Sequence, residues 1–407
     1  MNPNPPSTAA SAGSLSGIRV IDLTSVVLGP LATQILGDDG ADVVKIESLE
    51  GDPMRANGVS RHPGMSSVFM GINRNKRSLA IDLKSESGMA VARRLIERAD
   101  VLVHNMRVPA IERLGLGYAA VAALNPGIVY CAATGFGQDG PYRSKPALDD
   151  IIQAACGMAA LMTEATGRAD YVPTLLADKT AGMAVANAVL SALFHRHRTG
   201  EGQYVEVPMF ETMVEFTMAE HLGGLSFEPT AGAAGYARIT GGGRRPSPAK
   251  DGDIALLPYS PSHWCALLRR VGRADLIERY ALTDRNRLNA VVRDLYAELA
   301  TITPERTIAE WTAICAELDI PITPIYPLDR LPSHPHLEAV GMFESHRHPS
   351  EGAVRCVRPA ARFDRSPRRI RRLAPRLGEH STQILDELGY APGEIDALVD
   401  AGTVGCA

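Results

Sequence analysis

The chain has 407 residues, of which 45% are hydrophobic and 22% charged, and a formal net charge of −4. This composition is typical of a soluble globular protein and provides no basic surface for nucleic acid. No apolar run approaches the roughly 20 residues that a membrane-spanning helix needs. We therefore predict a cytoplasmic protein with a sizeable core, either in two domains or in one large domain with an insertion.

The opening segment MNPNPPSTAASAGSLS has neither a charged start nor an apolar stretch. It is predicted to be a disordered leader, residues 1–16, rather than a signal peptide. The six cysteines form no Cys-x-x-Cys pair and predict reduced thiols. The two His-x-His pairs, at residues 195–197 and 334–336, lack a carboxylate or cysteine at ligand spacing, so no metal site is expected.

Short β-branched runs alternate with helical patterns from residue 17 to residue 136. GIRVIDLT and ADVVKIE enclose a helix that starts near Pro30, which predicts a β-α-β unit with parallel strands. The strands RSLAIDL, DVLVHN and GIVYCAATGF follow, separated by the helices SESGMAVARRLIERA and VPAIERLGLGYAAVAALNP. The alternation predicts an open α/β sheet.

Beyond this region, DDIIQAACGMAALM and DKTAGMAVANAVLSALFHRH predict long helices, and EGQYVEVPMF a strand. A stretch rich in glycine and proline, PTAGAAGYARITGGGRRPSPAKDGD, predicts the start of a second domain. DIALLPY is predicted to be a strand of that domain and PITPIYPL a linker back to the first. HSTQILDELGY predicts a helix near the end of the chain.

Two sequence patterns are candidates for a binding site. Residues 135–140, GFGQDG, match GxGxxG after a strand, but GPYRSKPAL follows where a dinucleotide site would need a helix, so this pattern does not favour NAD. The arginine clusters RRLIER, RVGR and SPRRIRRLAPR indicate either solvated helix faces or sites for a phosphorylated small molecule.

Asp178 stands before the apolar run TAGMAVANAVLSALF. It is a candidate N-cap of the helix that follows, because aspartate is a favoured cap residue. The same position would also suit a functional carboxylate, since the positive end of a helix favours an anion. The sequence around it leaves both interpretations open.

Several segments together resemble the class III CoA-transferases, the family of formyl-CoA transferase and the CaiB/BaiF-type proteins, which is related to α-methylacyl-CoA racemase. They fall in the family's order and span residues 17 to about 391: GIRVIDLTSVVLGPLATQILGDDGADVVKIE, NRNKRSLAIDLK, ADVLVHNMRVPAIERLGLGY, LNPGIVYCAATGFGQDGPY, LLADKTAGM, RTGEGQYVEVPMFE and LGEHSTQILDELG.

The resemblance implies an α/β fold with a Rossmann-like large domain built from both chain ends and a smaller inserted α+β domain. We place the large domain at 17–224 and 330–407 and the small domain at 225–329. The resemblance also implies an interlocked homodimer. Whether the Gly241–Gly243 run is a flexible linker or a loop that covers the active site stays open.

The activity implied by the resemblance is transfer of CoA from an acyl-CoA donor, with succinyl-CoA a candidate, to a free carboxylic acid. Asp178 matches the family's covalent nucleophile and would pass through an aspartyl anhydride and an aspartyl-CoA thioester. No cofactor besides the CoA substrates is expected. The role of Lys179, beside the nucleophile, stays open.

Family motifs also imply residues that bind CoA. Val27 and Ser48 depart from formyl-CoA transferase, which has Gln and Arg at these positions, so formyl and oxalyl substrates are not favoured. Arg143 and Lys145 point weakly to a second carboxylate on the substrate. The candidate CoA-binding residues are Asn105, Arg113, Arg107, Lys76, Arg77, Met209 and Val27.

Two other functions remain alternatives. An acyl-CoA racemase, epimerase or isomerase would need a second acid/base group, which racemases of the family take from a Gly-His-Asp motif. Here Ala147-Leu148-Asp149 takes its place, and leucine cannot move a proton. The second alternative is a CoA-binding protein without catalytic activity.

Overall fold

The computed structural model describes residues 13–240 and 245–407, except for the side chains of residues 237 and 238. The first 12 residues of the predicted leader and the Gly241–Gly243 run lie outside the described residues. Residues 13–16, the last part of that leader, form a turn in which Leu15 is buried. The Leu15 N–H donates to the Asp39 carbonyl at 2.8 Å, so this turn packs on the fold.

The described strands, in chain order, are β1 (Arg19–Leu23), β2 (Asp42–Glu47), β3 (Lys76–Ile81), β4 (Val101–His104), β5 (Val129–Thr134), β6 (Gln203–Pro208), β7 (Ser247–Ala249), β8 (Gly252–Leu256), β9 (Ile322–Pro324), β10 (Phe343–His348), β11 (Gly352–Val357) and β12 (Val404–Gly405). The described α-helices are α1 (Leu28–Asp38), α2 (Ser67–Ile72), α3 (Glu86–Glu97), α4 (Val108–Arg113), α5 (Tyr118–Leu124), α6 (Asp149–Ala155), α7 (Met158–Thr166), α8 (Leu176–Thr199), α9 (Met209–His221), α10 (Ala237–Thr240), α11 (Pro261–Arg270), α12 (Asp275–Tyr280), α13 (Arg285–Ile302), α14 (Ile308–Glu317), α15 (Pro335–Ala339), α16 (Ser381–Glu387) and α17 (Pro392–Asp400). Short 3-10 helices lie at Pro53–Ala56, Gly223–Ser226, Thr303–Glu305 and Leu328–Ser333.

A seven-stranded sheet organises the fold, in the order β12-β3-β2-β1-β4-β5-β6. The strands β1 to β6 pair in parallel, and β12 pairs antiparallel with β3. The predicted α/β fold is therefore confirmed, with a mixed rather than an all-parallel sheet. Strands β3, β4 and β5 are buried along their whole length, which is typical of a sheet covered on both faces.

Contacts divide the chain into two compact units. The first comprises the residues up to Cys156, Val172–Phe216 and Glu338–Ala407, and it contains the large sheet. In its core, Ile384 and Val404 from the end of the chain pack in one cluster with Ile21 and Leu79 from β1 and β3. The end of the chain thus completes the core that the first strands begin.

The second unit comprises Gly157–Tyr171 and Thr217–Leu337. Its three-stranded sheet has the order β7-β8-β9, and its core contains the fully buried Trp264 and Trp311. The predicted linker PITPIYPL is wrong in part, because it contains β9, which pairs antiparallel with β8. Pairing with a distant strand makes this short proline-flanked segment a strand, and no local pattern reveals such a partner.

Two predicted helices are each interrupted by a glycine. The segment 108–126 forms α4 and α5 with Gly115 between them, and the segment 149–162 forms α6 and the start of α7 with Gly157 between them. Both glycines have a positive φ, +73° and +88°, which lies outside the helical region. Only glycine adopts such angles readily, so the chain turns there and each helix ends.

A buried ion pair links β1, β3 and α1. Asp22 on β1 and Lys76 on β3 are fully buried, and Lys76 Nζ donates to Asp22 Oδ2 at 2.9 Å. Lys76 Nζ also donates to the carbonyl of Pro30 on α1 at 2.8 Å. Burial would raise the pKa of Asp22, but Lys76 and Lys45 outweigh it and lower that pKa to about 2.

We expect Lys76→Met to lower the free energy of unfolding by about 3 kcal/mol or more, because it leaves the Asp22 carboxylate buried and unpaired. Urea unfolding at pH 7 measures the change. The double variant with Asp22→Asn should recover part of the loss. Lys250→Met, at an exposed position, is the control and should change stability by less than about 0.5 kcal/mol. Equal stability of the Lys76→Met variant and the wild type would contradict the role given to this pair.

Candidate active site

A cavity of about 370 Å³ opens at the carboxyl edge of the large sheet. Its walls come from the segments that follow β1, β4, β5 and β6, together with the first turn of α8. Ligands of open α/β sheets bind at this edge, where loops from several parallel strands converge. The position alone therefore marks this cavity as the candidate site.

Asp178 lies on the wall of this cavity, with 9% of its surface exposed. It is the third residue of α8, and Leu175 occupies the cap position, so the N-cap prediction for Asp178 is wrong. The helix begins three residues earlier than that prediction required. The carboxylate still lies in the first turn, where the positive end of the helix favours an anion.

A second carboxylate fixes the backbone at Asp178. The Asp178 N–H donates to Asp149 Oδ2 at 3.0 Å, and Gln153 Nε2 donates to Asp149 Oδ1 at 2.6 Å. Gln153 Oε1 in turn accepts from the N–H of Val172 at 2.9 Å. Asp149 and Gln153 both lie on α6 and are buried, so this chain of bonds ties the start of α8 to α6.

The oxygens of Asp178 have no such partner. No described residue donates a hydrogen bond to them or forms an ion pair with them, and the neighbouring Lys179 donates to Thr174 Oγ1 instead. Burial, and then the charge of Asp149, raise the pKa of Asp178 to about 6. The result is a buried carboxylate that faces a cavity, is ionised at neutral pH, and is not neutralised by a neighbouring cation.

Three of the predicted CoA-binding residues line the same cavity as Asp178: Asn105, Arg107 and Met209. Asn105 holds the loop after β1, because its Nδ2 donates to the carbonyl of Ser25 at 2.7 Å and its Oδ1 accepts from the N–H of Ser25 at 3.0 Å. Arg107 is exposed, and Met209 is buried directly after β6. Contact of these residues with CoA stays a prediction.

The other predicted residues do not line this cavity. Arg113 is exposed at the end of α4, and the Val27 side chain is buried while its neighbours Val26 and Leu28 line the wall. Lys76 is held by the ion pair with Asp22, described above. Arg77 is held by Asp42 at 2.6 Å and Glu387 at 2.8 Å, so the cationic groups of both side chains are bound within the protein.

A larger neighbouring cavity, of about 590 Å³, lies at the ends of β1, β2 and β3. Ser25 and Met106 line both cavities, which makes the two spaces adjacent. Ser48 and Lys84 also line the larger one. The sequence analysis did not assign Lys84, although its place just after β3 is the signal that would have indicated it.

The loop after β5 forms a large part of the wall, and of its residues the sequence pointed only to Arg143 and Lys145. Its GFGQDG pattern opens no helix, and the next helix is α6 at Asp149, so the geometry of a dinucleotide site is not formed. Gly135 of this loop lines the cavity, as do the cationic residues Arg143 and Lys145. The GFGQDG loop therefore belongs to the candidate site as part of the cavity wall, although it does not form a dinucleotide site.

The sequence profile of CoA-transferase family III matches residues 15–381. The chain belongs to CoA-transferase family III. It is 32% identical to an acyl-CoA transferase of Fusarium pseudograminearum, over 98% of this chain and 90% of that protein. It is also 32% identical to a succinyl-CoA:mesaconate CoA-transferase of Haloarcula marismortui, over 94% of this chain and 98% of that protein.

The fold agrees with a solved relative. The crystal structure of a CaiB/BaiF family protein from Brucella suis matches with a TM-score of 0.80 and 28% identity, covering 93% of this chain and 100% of that one. The family III chain is therefore an enzyme of the transferase type, with class III CoA-transferase activity. Among its described residues, no helix is both long enough and apolar enough to cross a membrane.

Gly135 gives a test of how tightly the cavity wall is built. A Cβ at this position would lie 2.3 Å from the Cβ of Ala147, another residue of the wall. We expect Gly135→Ala to lower the free energy of unfolding by about 1–3 kcal/mol and to raise KM for acyl-CoA, because the 146–148 segment must move. Chemical denaturation and steady-state kinetics measure both effects.

The same loop offers a matched control. A Cβ at Gly140 would come no closer than 3.4 Å to another atom, the Gly137 carbonyl oxygen, so Gly140→Ala should leave stability and KM close to wild type. Adding Ala147→Gly to Gly135→Ala should restore both quantities. If the double variant behaves like Gly135→Ala alone, the close approach to Ala147 is not the cause.

Proposed function

We propose that this protein transfers CoA from an acyl-CoA donor to a free carboxylic acid, with Asp178 as the covalent nucleophile. The observation that carries this proposal is the Asp178 carboxylate itself: buried, bound by no described donor, and exposed only to a cavity at the carboxyl edge of the sheet. A carboxylate left without a neutralising partner keeps the lone pairs that an attack on a thioester needs.

The proposed reaction is a series of acyl exchanges. A carboxylate oxygen of Asp178 attacks the thioester carbonyl of the donor, and the CoA thiolate leaves, which gives a mixed anhydride. The thiolate then attacks the Asp178 carbonyl carbon, releases the donor acid and forms an aspartyl-CoA thioester. The acceptor carboxylate attacks that thioester, expels the CoA thiolate and forms a second mixed anhydride. The thiolate then attacks the acceptor carbonyl carbon of this anhydride, which gives the acceptor acyl-CoA and regenerates the Asp178 carboxylate. Each step exchanges one activated acyl group for another.

Two features of the site support this role for Asp178. The bond from its N–H to Asp149 fixes the first turn of α8, so the nucleophile is held before substrate arrives. The starts of α1 and α8 both reach the cavity through Leu28 and Asp178. Their positive ends would favour the negative charge that develops on the thioester oxygen.

The two adjacent cavities support a binding mode for CoA. We propose that its nucleotide part occupies the larger cavity, near Lys84, and that its thioester passes Ser25 and Met106 to reach Asp178. In this mode Asn105 and Met209 would contact the thioester end, as the family resemblance implies. Arg113, Val27, Lys76 and Arg77 would act from outside these walls or not at all.

The cations on the cavity wall support a dicarboxylic substrate. Arg107, Arg143 and Lys145 line the space that Asp178 faces, and they would hold the free carboxylate of a donor such as succinyl-CoA. The Haloarcula relative is named for succinyl-CoA and mesaconate, both of which carry a second carboxylate. We therefore propose succinyl-CoA as donor and a small carboxylic acid as acceptor.

The alternatives have less support. Among the described residues that line the cavity there is no histidine and no carboxylate besides Asp178, whereas a racemase needs a second acid/base group. Deuterium entering the α-carbon without an acceptor acid would favour isomerisation. A binding protein without activity would show no exchange of labelled CoA into a free acid.

We also propose that the chain works as a homodimer. Met183 and Phe194 on α8 are large apolar side chains that are 55% and 63% exposed, beside a surface cavity that also includes Leu190. Such a helix face would be covered in an assembly of two chains. The interlocked arrangement is implied by the family resemblance alone.

We expect Asp178→Ala and Asp178→Asn to lower the rate of CoA transfer about a thousandfold or more, because no covalent intermediate can form. Transfer from succinyl-CoA to a panel of free acids, followed by mass spectrometry, measures the rate. In the wild type, hydroxylamine or borohydride added with acyl-CoA should modify Asp178. Asp364→Asn, at a side chain 93% exposed, is the control and should remain fully active.

Stability separates a catalytic role from a structural one. The folded pKa of Asp178 is about 6, above its ordinary 3.8, so the folded state loses stability as pH rises between these two values. The free energy of unfolding of the neutral Asp178→Asn variant should therefore be about 2 kcal/mol higher than that of the wild type at pH 8. Below pH 4 the two should be equal. If the Asp178→Asn variant is inactive but more stable, the result supports Asp178 as the nucleophile. Full transfer activity of this variant would contradict that role.

We expect kcat/KM of the wild type to fall as pH drops through about 6, because protonated Asp178 cannot attack a thioester. Asp149→Asn removes the nearby negative charge and should move this acid limb to lower pH, while burial keeps the pKa above its ordinary value. Asp150→Asn, at the exposed neighbouring position, should leave the limb in place. A limb that stays fixed in the Asp149→Asn variant would show that Asp149 does not control the pKa of Asp178.

A further inference from the structure

A second polar cavity lies in the first unit, apart from the walls around Asp178. Its volume is about 270 Å³, far more than the roughly 30 Å³ that one water occupies in the liquid. It is lined by the end of β10 and the turn after it, by the segment 370–375, and by Glu379 and His380. His348 closes one side, because its Nε2 lies 2.8 Å from the carbonyl oxygen of Ala374.

The segment 370–375 belongs to the arginine cluster SPRRIRRLAPR, which the proposed activity does not use. This cluster is not a solvated helix face, because residues 366–376 form no helix. Arg368 pairs with Asp39, and Arg371 donates to the carbonyls of Gly37, Gly40 and Ala41. Carbonyl acceptors bind Arg371 but carry no formal charge to neutralise it.

Two exposed arginines on the cavity wall have side chains without a described partner. The guanidinium groups of Arg347 and Arg372 form no hydrogen bond or ion pair with any described residue. Burial, and then the nearby charge of Arg77, lower the pKa of Arg372. Asp42 and Glu379 raise this pKa and Arg371 lowers it further, and a bound anion would stabilise the charged guanidinium.

A buried histidine adds a neutral donor to the same wall. His380 is 9% exposed, and its Nδ1 accepts from the N–H of Ser78 at 3.3 Å. The proton of the neutral ring therefore lies on Nε2, which has no partner among the described residues. Burial and the charge of Arg372 lower the pKa of His380 to about 4, so this ring is neutral at physiological pH.

The carboxylates near the cavity form no ion pair with Arg347 or Arg372 among the described residues. Glu379 is the one carboxylate among the described lining residues, and it accepts from the N–H of Arg376 at 2.7 Å and lies 3.7 Å from the Arg376 side chain. Asp42 and Glu387 are bound by Arg77. Arg347, Arg371 and Arg372 thus leave an excess of positive charge and of free donors.

We propose that this cavity is a binding site for a phosphate-type oxyanion, held by the side chains of Arg347, Arg372 and His380. A phosphate group has several acceptor oxygens and more than one negative charge, which suits two guanidinium groups and one neutral N–H donor. A monocarboxylate would satisfy fewer of these donors. The source can be a free ion, such as phosphate or pyrophosphate, or the phosphate groups of a CoA molecule.

Binding at this site should stabilise the fold. The segment that carries Arg372 donates from the backbone N–H groups of Arg371 and Arg372 to Asn75 Oδ1, at 2.7 and 3.0 Å, just before β3. An anion bridging Arg347 and Arg372 would join the β10–β11 hairpin to this segment. A ligand that binds only the folded state raises its stability in proportion to the logarithm of its concentration.

The test is calorimetric titration of the full chain with inorganic phosphate, pyrophosphate and succinate, and separately with CoA. Pyrophosphate should bind, and Arg372→Met should weaken that binding about tenfold or more. Arg347→Met is the second variant, in case the first does not fold. Arg365→Met, just before this segment at a side chain 94% exposed, is the matched control and should bind as wild type does.

The outcomes separate the possibilities. Loss of pyrophosphate binding in the Arg372 or Arg347 variant, with CoA-transfer activity retained, supports the site. If CoA binds the wild type at two sites and the Arg372→Met variant at one, the natural phosphate belongs to CoA. No pyrophosphate binding by wild type, equal binding by all variants, or tighter binding of succinate than of pyrophosphate would overturn the proposal.

Discussion

The buried pair of Asp22 and Lys76 is the interaction on which the active-site edge of the sheet depends. Asp22 accepts from the side chains of Thr24, Thr33 and Lys76, and the pair thereby connects β1, β3 and α1. Taking two charges out of water costs several kcal/mol per ion, so the pair is tolerated only because each charged group is fully hydrogen-bonded. That requirement fixes the backbone from Thr24 to Pro30 in one conformation, and this backbone includes the residues of the β1–α1 loop that line the cavity.

Asp178 forms no ion pair with a described residue, although the first unit contains several buried cations. Three of these are bound by other carboxylates: Lys45 by Asp52, Arg55 by Glu47, and Lys76 by Asp22. Each of these groups would lower the pKa of a carboxylate beside it and weaken it as a nucleophile. The pKa of Asp178 is raised by burial and then by the charge of Asp149. Arg107, Arg143 and Lys145 line the same cavity but form no ion pair with Asp178, so its carboxylate stays open to the cavity.

The sequence predicts strands β1 to β6 well, because they depend on local information, and it singles out Asp178, which lies on the cavity wall. A β-branched run bounded by turn residues identifies β1 or β2, and the segment around Asp178 carries the family resemblance. The partner of a charged side chain cannot be predicted from local sequence in the same way. Lys76 meets a partner 54 residues away, and nothing near it in sequence says whether it faces a ligand or the core. Asp149 is similar, since its bond to the Asp178 backbone spans 29 residues and forms only when α6 and α8 pack.

Helix α1 connects the two charged regions of the first unit. Leu28 at its start lines the cavity of Asp178, where the positive end of the helix dipole favours an anion. Its last carbonyls meet the arginine-rich segment, where Arg371 donates to Gly37 at the negative end. Gly182 lets α8 approach closely, since a Cβ there would lie 2.7 Å from the carbonyl oxygen of Leu28 at the start of α1. The position of Asp178 relative to the β1–α1 loop therefore follows from one close helix contact, and the arginine-rich segment holds the opposite end of the same helix.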